Sequence, residues 1–210
     1  MPKRVFFLVV AAAAVRAEEA NFAGAMAGVS TLSADGRSIL EPSRTSVSLY
    51  KPENGLTWLV FGGRHLNDFL SLQASYGRNR NDLALTSVEV AGGAERSFDR
   101  RYTALHHTIA GELMLYFRPR SNFARPYLSA GPGVAHLSSA ERQLTPRNFS
   151  ASDFCFRVAV GIDIKLRGGA AFRYSFAETI QNNPVSAQLS PPGQRKLANF
   201  QNLFGIAWRF

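Results

Sequence analysis

Residues 154–166 read FCFRVAVGIDIKL, thirteen positions in which a large apolar side chain alternates with a small or charged one without a break. Phe154, Phe156, Val158, Val160, Ile162, Ile164 and Leu166 fall on one side, and Cys155, Arg157, Ala159, Gly161, Asp163 and Lys165 on the other. A period of two belongs to a strand, because successive side chains of an extended backbone point to opposite faces. The second face is the constraining one. Its small residues are too small to build a core and its charges need partners or water, so the bulky face must find its apolar surroundings elsewhere.

The same period recurs along the chain. After RGG, where Gly168 and Gly169 permit a tight turn, AAFRYSF sets Phe172, Tyr174 and Phe176 against Ala171, Arg173 and Ser175. TWLVFGGRHL and FLSLQASYG flank the short polar turn at Asn67 and Asp68; the second alternates cleanly, whereas the first is apolar on both faces. YTALHHTIAGELMLYF and PYLSAGPGVAHL are joined through RPRSNFAR. In the former, Leu105, Ile109, Leu113, Leu115 and Phe117 share one face and His106, Thr108, Glu112 and Tyr116 the other. With FAGAMAGVSTL and the final FQNLFGIAWRF, the count is eight strands and the class is all-β. The connections between strands two and three, four and five, and six and seven are short. Those at about 33–55, 79–99, 139–152 and 179–198 are long and polar. Short turns on one rim alternating with long loops on the other predict an eight-stranded antiparallel up-and-down transmembrane β-barrel, with apolar residues facing lipid and small or polar ones facing the lumen. A soluble lipocalin-like barrel is disfavoured, since it would place the large apolar residues inside and the charges outside.

The opening MPKRVFFLVVAAAAVRA has the basic start, short apolar run and small-residue spacing of a secretory signal peptide, which predicts a leader at 1–17 and a barrel domain at 18–210. Losing Lys3, Arg4 and Arg16 takes the basic residues from 24 to 21 against 15 acidic ones, a mature net charge of +6. An exported basic chain is expected to meet anionic head groups or surface polysaccharide, and no nucleic acid. Cys155 is the only cysteine, so no intramolecular disulfide forms.

The closing LFGIAWRF ends on Phe210 after alternating apolar residues. With the loop pattern, it resembles the small eight-stranded outer-membrane barrels of the OmpA and OmpX type and their opacity-protein relatives. The resemblance implies residence in the outer membrane of a Gram-negative-type bacterium and a terminal signal read by the barrel-assembly machinery. It also implies outer-membrane lipids as surroundings, a monomer, and an interfacial girdle to which Tyr76, Phe117, Phe172, Tyr174, Trp208 and Phe210 are assigned. No metal or other cofactor is expected.

An eight-stranded barrel is just wide enough inside for side chains to fill it. The inward set includes Gln73, Glu112, Arg157, Asp163, Lys165, Arg173 and Arg209, with Arg64 placed among them. Arg64, Gln73, Glu112, Asp163 and Arg173 lie at comparable heights above the short turns, which predicts a polar plug pairing Glu112 and Asp163 with Arg173 and Arg64. Such a plug serves either as a gate or, as the narrow interior favours, as a structural core. His106 and His107 are adjacent and face opposite ways, so they cannot share a metal; His65 is expected at the interface. His136 with Ser138 and Glu141 has the residue types of a nucleophile, a base and an orienter, and HLS is similar to the His-x-Ser motif of outer-membrane lipid A deacylases, except that Ser139 stands where that motif has Asn. The loop residues Arg78, Arg80, Arg96, Arg100, Arg101, Arg142 and Arg147 predict a basic outer rim suited to lipopolysaccharide phosphates. The expected role is therefore structural or surface-interactive and not enzymatic. The alternatives are a narrow pore and a lipid A-modifying hydrolase.

Overall fold

The computed structural model describes residues 20–33, 38–39, 44–52, 54–91, 94–141, 149–183 and 196–210. The expected leader at 1–17 lies outside them. Ten strands form: β1 (Asn21–Ser33), β2 (Ser38–Ile39), β3 (Arg44–Pro52), β4 (Gly55–His65), β5 (Leu70–Ala91), β6 (Ala94–Tyr116), β7 (Ala124–Glu141), β8 (Phe149–Lys165), β9 (Ala170–Asn182) and β10 (Lys196–Arg209). No helix occurs among the described residues.

Eight of these strands close on themselves. The order runs β1, β4, β5, β6, β7, β8, β9, β10 and returns to β1, each pair antiparallel. Closure leaves no open edge in the barrel, so the backbone groups are satisfied where no water is available. The register also fixes the stagger. Following paired residues from His136 through His107, Arg78, Trp58, Ala27, Phe204, Tyr174 and Ile162 leads back to β7 at Pro126, ten residues from the start. A shear of this size tilts the strands by about 35–45° in a barrel of eight.

The connections differ from the expected loops in two respects. The segment around 79–99, expected as a loop, is strand on both sides: β5 and β6 stay paired up to Ala91 opposite Ala94. The upper part of β5 also pairs with β3, which pairs with β2, so the first long connection contributes two further strands outside the closed barrel. At the opposite rim the turns are tight. Asn67 Oδ1 accepts from the backbone N–H groups of Phe69 and Leu70 at 2.8 Å each, and Gly168 and Gly169 carry positive φ of 67° and 82°, which a Cβ would disfavour.

The burial pattern is inverted relative to a soluble sheet. Inward positions hold Ser30, Gln73, Asn79, His106, Glu112, Arg157, Asp163 and Arg173, all buried, while Ile109, Leu113, Phe154, Phe204 and Trp208 stand exposed on the outer wall. A belt of exposed aromatic and aliphatic side chains around a closed sheet is stable only against an apolar medium.

Candidate functional site

The lumen is crossed by a connected set of polar side chains, built from residues that the two-residue period turns inward. Arg173 on β9 is 1% exposed. Its Nε donates to Asp163 Oδ1 at 2.6 Å and its NH2 to Asp163 Oδ2 at 2.8 Å, the parallel fork that a guanidinium makes with a carboxylate. The NH2 group also donates to the Tyr116 hydroxyl at 2.9 Å, and NH1 donates to Gln73 Oε1 at 2.8 Å. That hydroxyl in turn donates to Asp163 Oδ2 at 3.1 Å.

Gln73 carries the network upward. Its Nε2 donates to Glu112 Oε2 at 3.2 Å, where Ser75 also donates at 3.2 Å; Ser129 donates to Oε1 at 2.9 Å. Arg157 approaches the same Oε1 with its Nε at 3.4 Å and donates through NH1 to Gln201 Oε1 at 2.9 Å. Two carboxylates and two guanidiniums are thereby paired, and the remaining acceptor positions are largely filled, which is what a buried charge cluster requires.

Above this lies a neutral tier. The His106 Nε2 donates to Gln181 Oε1 at 2.9 Å, and its Nδ1 accepts from Asn199 Nδ2 at 3.1 Å, which assigns the tautomer. Asn79, Asn81 and Ser30 continue it, with Asn79 donating to Asn81 at 2.7 Å. Below the charged tier, toward the tight turns, Arg125 is fully buried with its guanidinium 3.8 Å over the Tyr116 ring, donating to the carbonyls of Asp68 and Arg118 at 2.8 and 3.3 Å.

The expected plug is placed as follows. Gln73, Glu112, Asp163 and Arg173 share one network. Arg64 does not join it: it is exposed, and its neighbour His65 turns inward, where Nδ1 lies 2.6 Å from Ser71 Oγ. The reason is the phase of β4. Its sequence is apolar on both faces, so the register with β1 and β5 sets which residues face in, and that register turns Thr57, Leu59, Phe61 and His65 toward the lumen. The pairing expected between Glu112 or Asp163 and Arg64 is corrected accordingly, with Arg157 serving Glu112. Lys165, the last residue of β8, is exposed beyond the lumen. Tyr116 was placed on the Glu112 face from the sequence and is buried there; Arg125 and Tyr127 were not assigned, although the alternation of Arg125, Tyr127 and Ser129 in RPYLS carries the signal.

The girdle residues all point outward. Phe117, Trp208 and Phe210 are exposed close to the tight-turn rim, Phe172 and Tyr174 pack on Phe204 at 6.5 and 5.0 Å, and Tyr76 lies higher, 5.5 Å from Trp58. His136 also points outward, but its Nδ1 meets Ser152 at 2.7 Å and its Nε2 meets Ser150 at 3.3 Å, both on β8. Ser138 faces Ser150 in the register and makes no contact with His136 of hydrogen-bond length; the side chain of Glu141 lies outside the described set. The strand places His136 and Ser138 two residues apart on one face, about 7 Å along the backbone, so a bond between them is not made locally. Among the described residues no group of His, Cys, Asp or Glu is arranged to hold a metal.

The family model described as "Outer membrane protein beta-barrel domain" matches residues 5–210. No curated protein matches the chain in sequence. In structure it is similar to the Neisserial surface protein A, with TM-score 0.59 and 13% identity over 90% of this chain and 97% of that one. It is also similar to OprG of Pseudomonas aeruginosa, with TM-score 0.52 and 12% identity over 91% and 96%. A third is Ail, the attachment invasion locus protein of Yersinia pestis in complex with the heparin analogue sucrose octasulfate, with TM-score 0.51 and 12% identity over 91% and 99%. At these identities the likeness is one of fold.

Proposed function

Since the chain belongs to the outer membrane protein β-barrel domain family and is an outer-membrane barrel of the Gram-negative type, we propose that its role is to anchor a surface platform through a packed, non-conducting barrel, with long basic loops available to anionic surfaces. The tight-turn rim then faces the periplasm and the extended strands project outside. The observation that carries the reading is the lumen network. From Asp163 through Arg173, Gln73, Glu112 and Arg157 to Gln201, hydrogen bonds and an ion pair tie β8, β9, β5, β6 and β10 across the interior. A pore would have to break a buried fork and leave charges unpaired, at several kcal/mol.

Arg96, Arg100 and Arg101 of the extended part of β6, with Arg142 and Arg147 outside the described residues, support binding to phosphate-rich or sulfated sugars, as does the sucrose octasulfate held by a barrel of similar fold. The signal-peptide pattern of residues 1–17 supports export. A hydrolase is disfavoured by the pairing of His136 with Ser152 and not with Ser138.

Reconstitution of the barrel in planar bilayers tests the central point. The packed reading expects no conductance above the lipid baseline. Reproducible stepwise openings would establish the narrow pore instead.

A further inference from the structure

On the outer wall, an apolar row of paired residues is followed one step up by a basic row. The lower row runs Val60, Tyr76, Ile109, Val134 and Phe154 across β4 to β8, and the upper row runs Trp58, Arg78, His107, His136 and Ser152 across the same strands. All are outward by alternation, since Asn79, His106, Thr108, Ala135 and Leu137 beside them are buried in the lumen. Leu70 to Arg78 spans nine residues of β5, and Tyr116 back to His107 spans ten of β6. A tilted strand crosses the hydrocarbon in about 9–11 residues, so Arg78 and His107 mark where the wall leaves it. The tilt then carries the row upward to His136 on β7. Trp58 and Tyr76, 5.5 Å apart, supply aromatics at the same boundary.

Arg78 lies directly opposite His107, and His107 directly opposite His136. The Tyr76 hydroxyl holds His107 Nδ1 at 2.8 Å, leaving its other ring nitrogen free to face outward. Arg80, exposed two residues above Arg78, extends the patch, and among the described residues no carboxylate pairs with either arginine. Two guanidiniums and an imidazole facing a leaflet boundary, with no carboxylate in an ion pair with them among the described residues, suit an anion supplied by that leaflet, and Arg forks suit phosphate.

We propose that Arg78, Arg80 and His107, flanked by Trp58 and Tyr76, form a wall site for the phosphate groups of an outer-leaflet glycolipid. The site is distinct from the loops and rests on the outer-membrane reading above.

Trp58 adjoins Arg78 and is one of only two tryptophans, so a Trp208→Phe background makes its emission a local reporter. The folded barrel in detergent is titrated with lipopolysaccharide and, separately, with enzymatically dephosphorylated lipopolysaccharide, folding being checked by heat-modifiable migration. The expected result is a saturable Trp58 change with the phosphorylated form alone, with affinity about tenfold weaker in the combined Arg78→Gln, Arg80→Gln and His107→Gln variant. If that variant does not fold, Arg80→Gln alone is expected to weaken binding severalfold, and Arg78→Lys, which keeps the charge but loses the fork, to weaken it by less than Arg78→Gln. An equal response to the dephosphorylated form, or unchanged affinity in the folded variants, overturns the site. Loss of binding only on replacing Arg96, Arg100 and Arg101 by Gln would also overturn it while leaving the loop reading intact.

Discussion

Arg173 on β9 donates to Gln73 on β5 at 2.8 Å, a contact between residues 100 apart in the chain that reaches across the full width of the barrel. In the ring of eight, β9 and β5 are separated by β8, β7 and β6 on one side and by β10, β1 and β4 on the other, so they stand diametrically opposed. The side chain therefore fastens opposite walls as well as neutralising Asp163. Around it lie the rings of Phe61 and Tyr127, 4.5 and 5.2 Å from the guanidinium carbon, which exclude water from the fork.

Removing one member of that fork leaves the other charge buried without a partner. Asp163→Ala is expected to destabilise the folded barrel by about 3–5 kcal/mol, read as a lower temperature for loss of the fast-migrating unboiled form. Asp163→Leu combined with Arg173→Met is expected to recover much of the loss, since an apolar pair of similar volume carries no desolvation cost. Equal stability of Asp163→Ala and the parent would remove the fork from the account of the fold.

Glu112 gathers Gln73, Ser75, Ser129 and Arg157. Glu112→Ala is expected to cost about 3–5 kcal/mol by stranding Arg157 yet to leave bilayer conductance at baseline, because the Arg173 tier below remains closed. A conducting Glu112→Ala barrel would make the upper tier the gate.

Gly161 faces the lumen where the end of the Tyr127 ring packs against its backbone, and a Cβ built there would collide with that ring and with the Tyr174 carbonyl. Gly161→Val is expected to displace Tyr127 and to abolish the heat-modifiable form, an overpacking loss of more than about 1–3 kcal/mol. Pairing it with Tyr127→Ala should restore part of the folding yield. Restoration failing entirely would place the constraint in the backbone of β9.

At the tight-turn rim, outside the strands, Arg120 Nε donates to Asp68 Oδ1 at 2.9 Å and holds that carboxyl below its ordinary range. A depressed folded value means the pair stabilises the turn above the unfolded carboxylate pKa and ceases to do so as pH falls through the folded value. Both groups are substantially exposed, so solvent screening makes the effect small. Asp68→Asn is expected to remove a minor part of the acid sensitivity of unfolding, with no change at neutral pH beyond that of an exposed pair. A larger acid sensitivity in the variant than in the parent would contradict the assignment.

The eight barrel strands, the inward position of Gln73, Glu112, Asp163 and Arg173 and the outward aromatic belt were legible in the sequence, because a two-residue period is a local property of an extended backbone and needs no knowledge of neighbours. Where that period was ambiguous the reading failed: TWLVFGGRHL is apolar on both faces, and only hydrogen bonding to β1 and β5 turned His65 inward and Arg64 outward. The segment 79–99 looked like loop from its polar composition, yet its strand pairing continues to Ala91 and Ala94. Partner choice was decided by the tertiary structure alone. Periodicity gives the face on which a charge lies but not its height relative to the next strand, and a shear of ten residues around the ring separates heights that counting from the turns makes equal. That stagger brought Arg157 to Glu112, laid Arg125 over Tyr116 and aligned Arg78 with His107 and His136 on the outer wall.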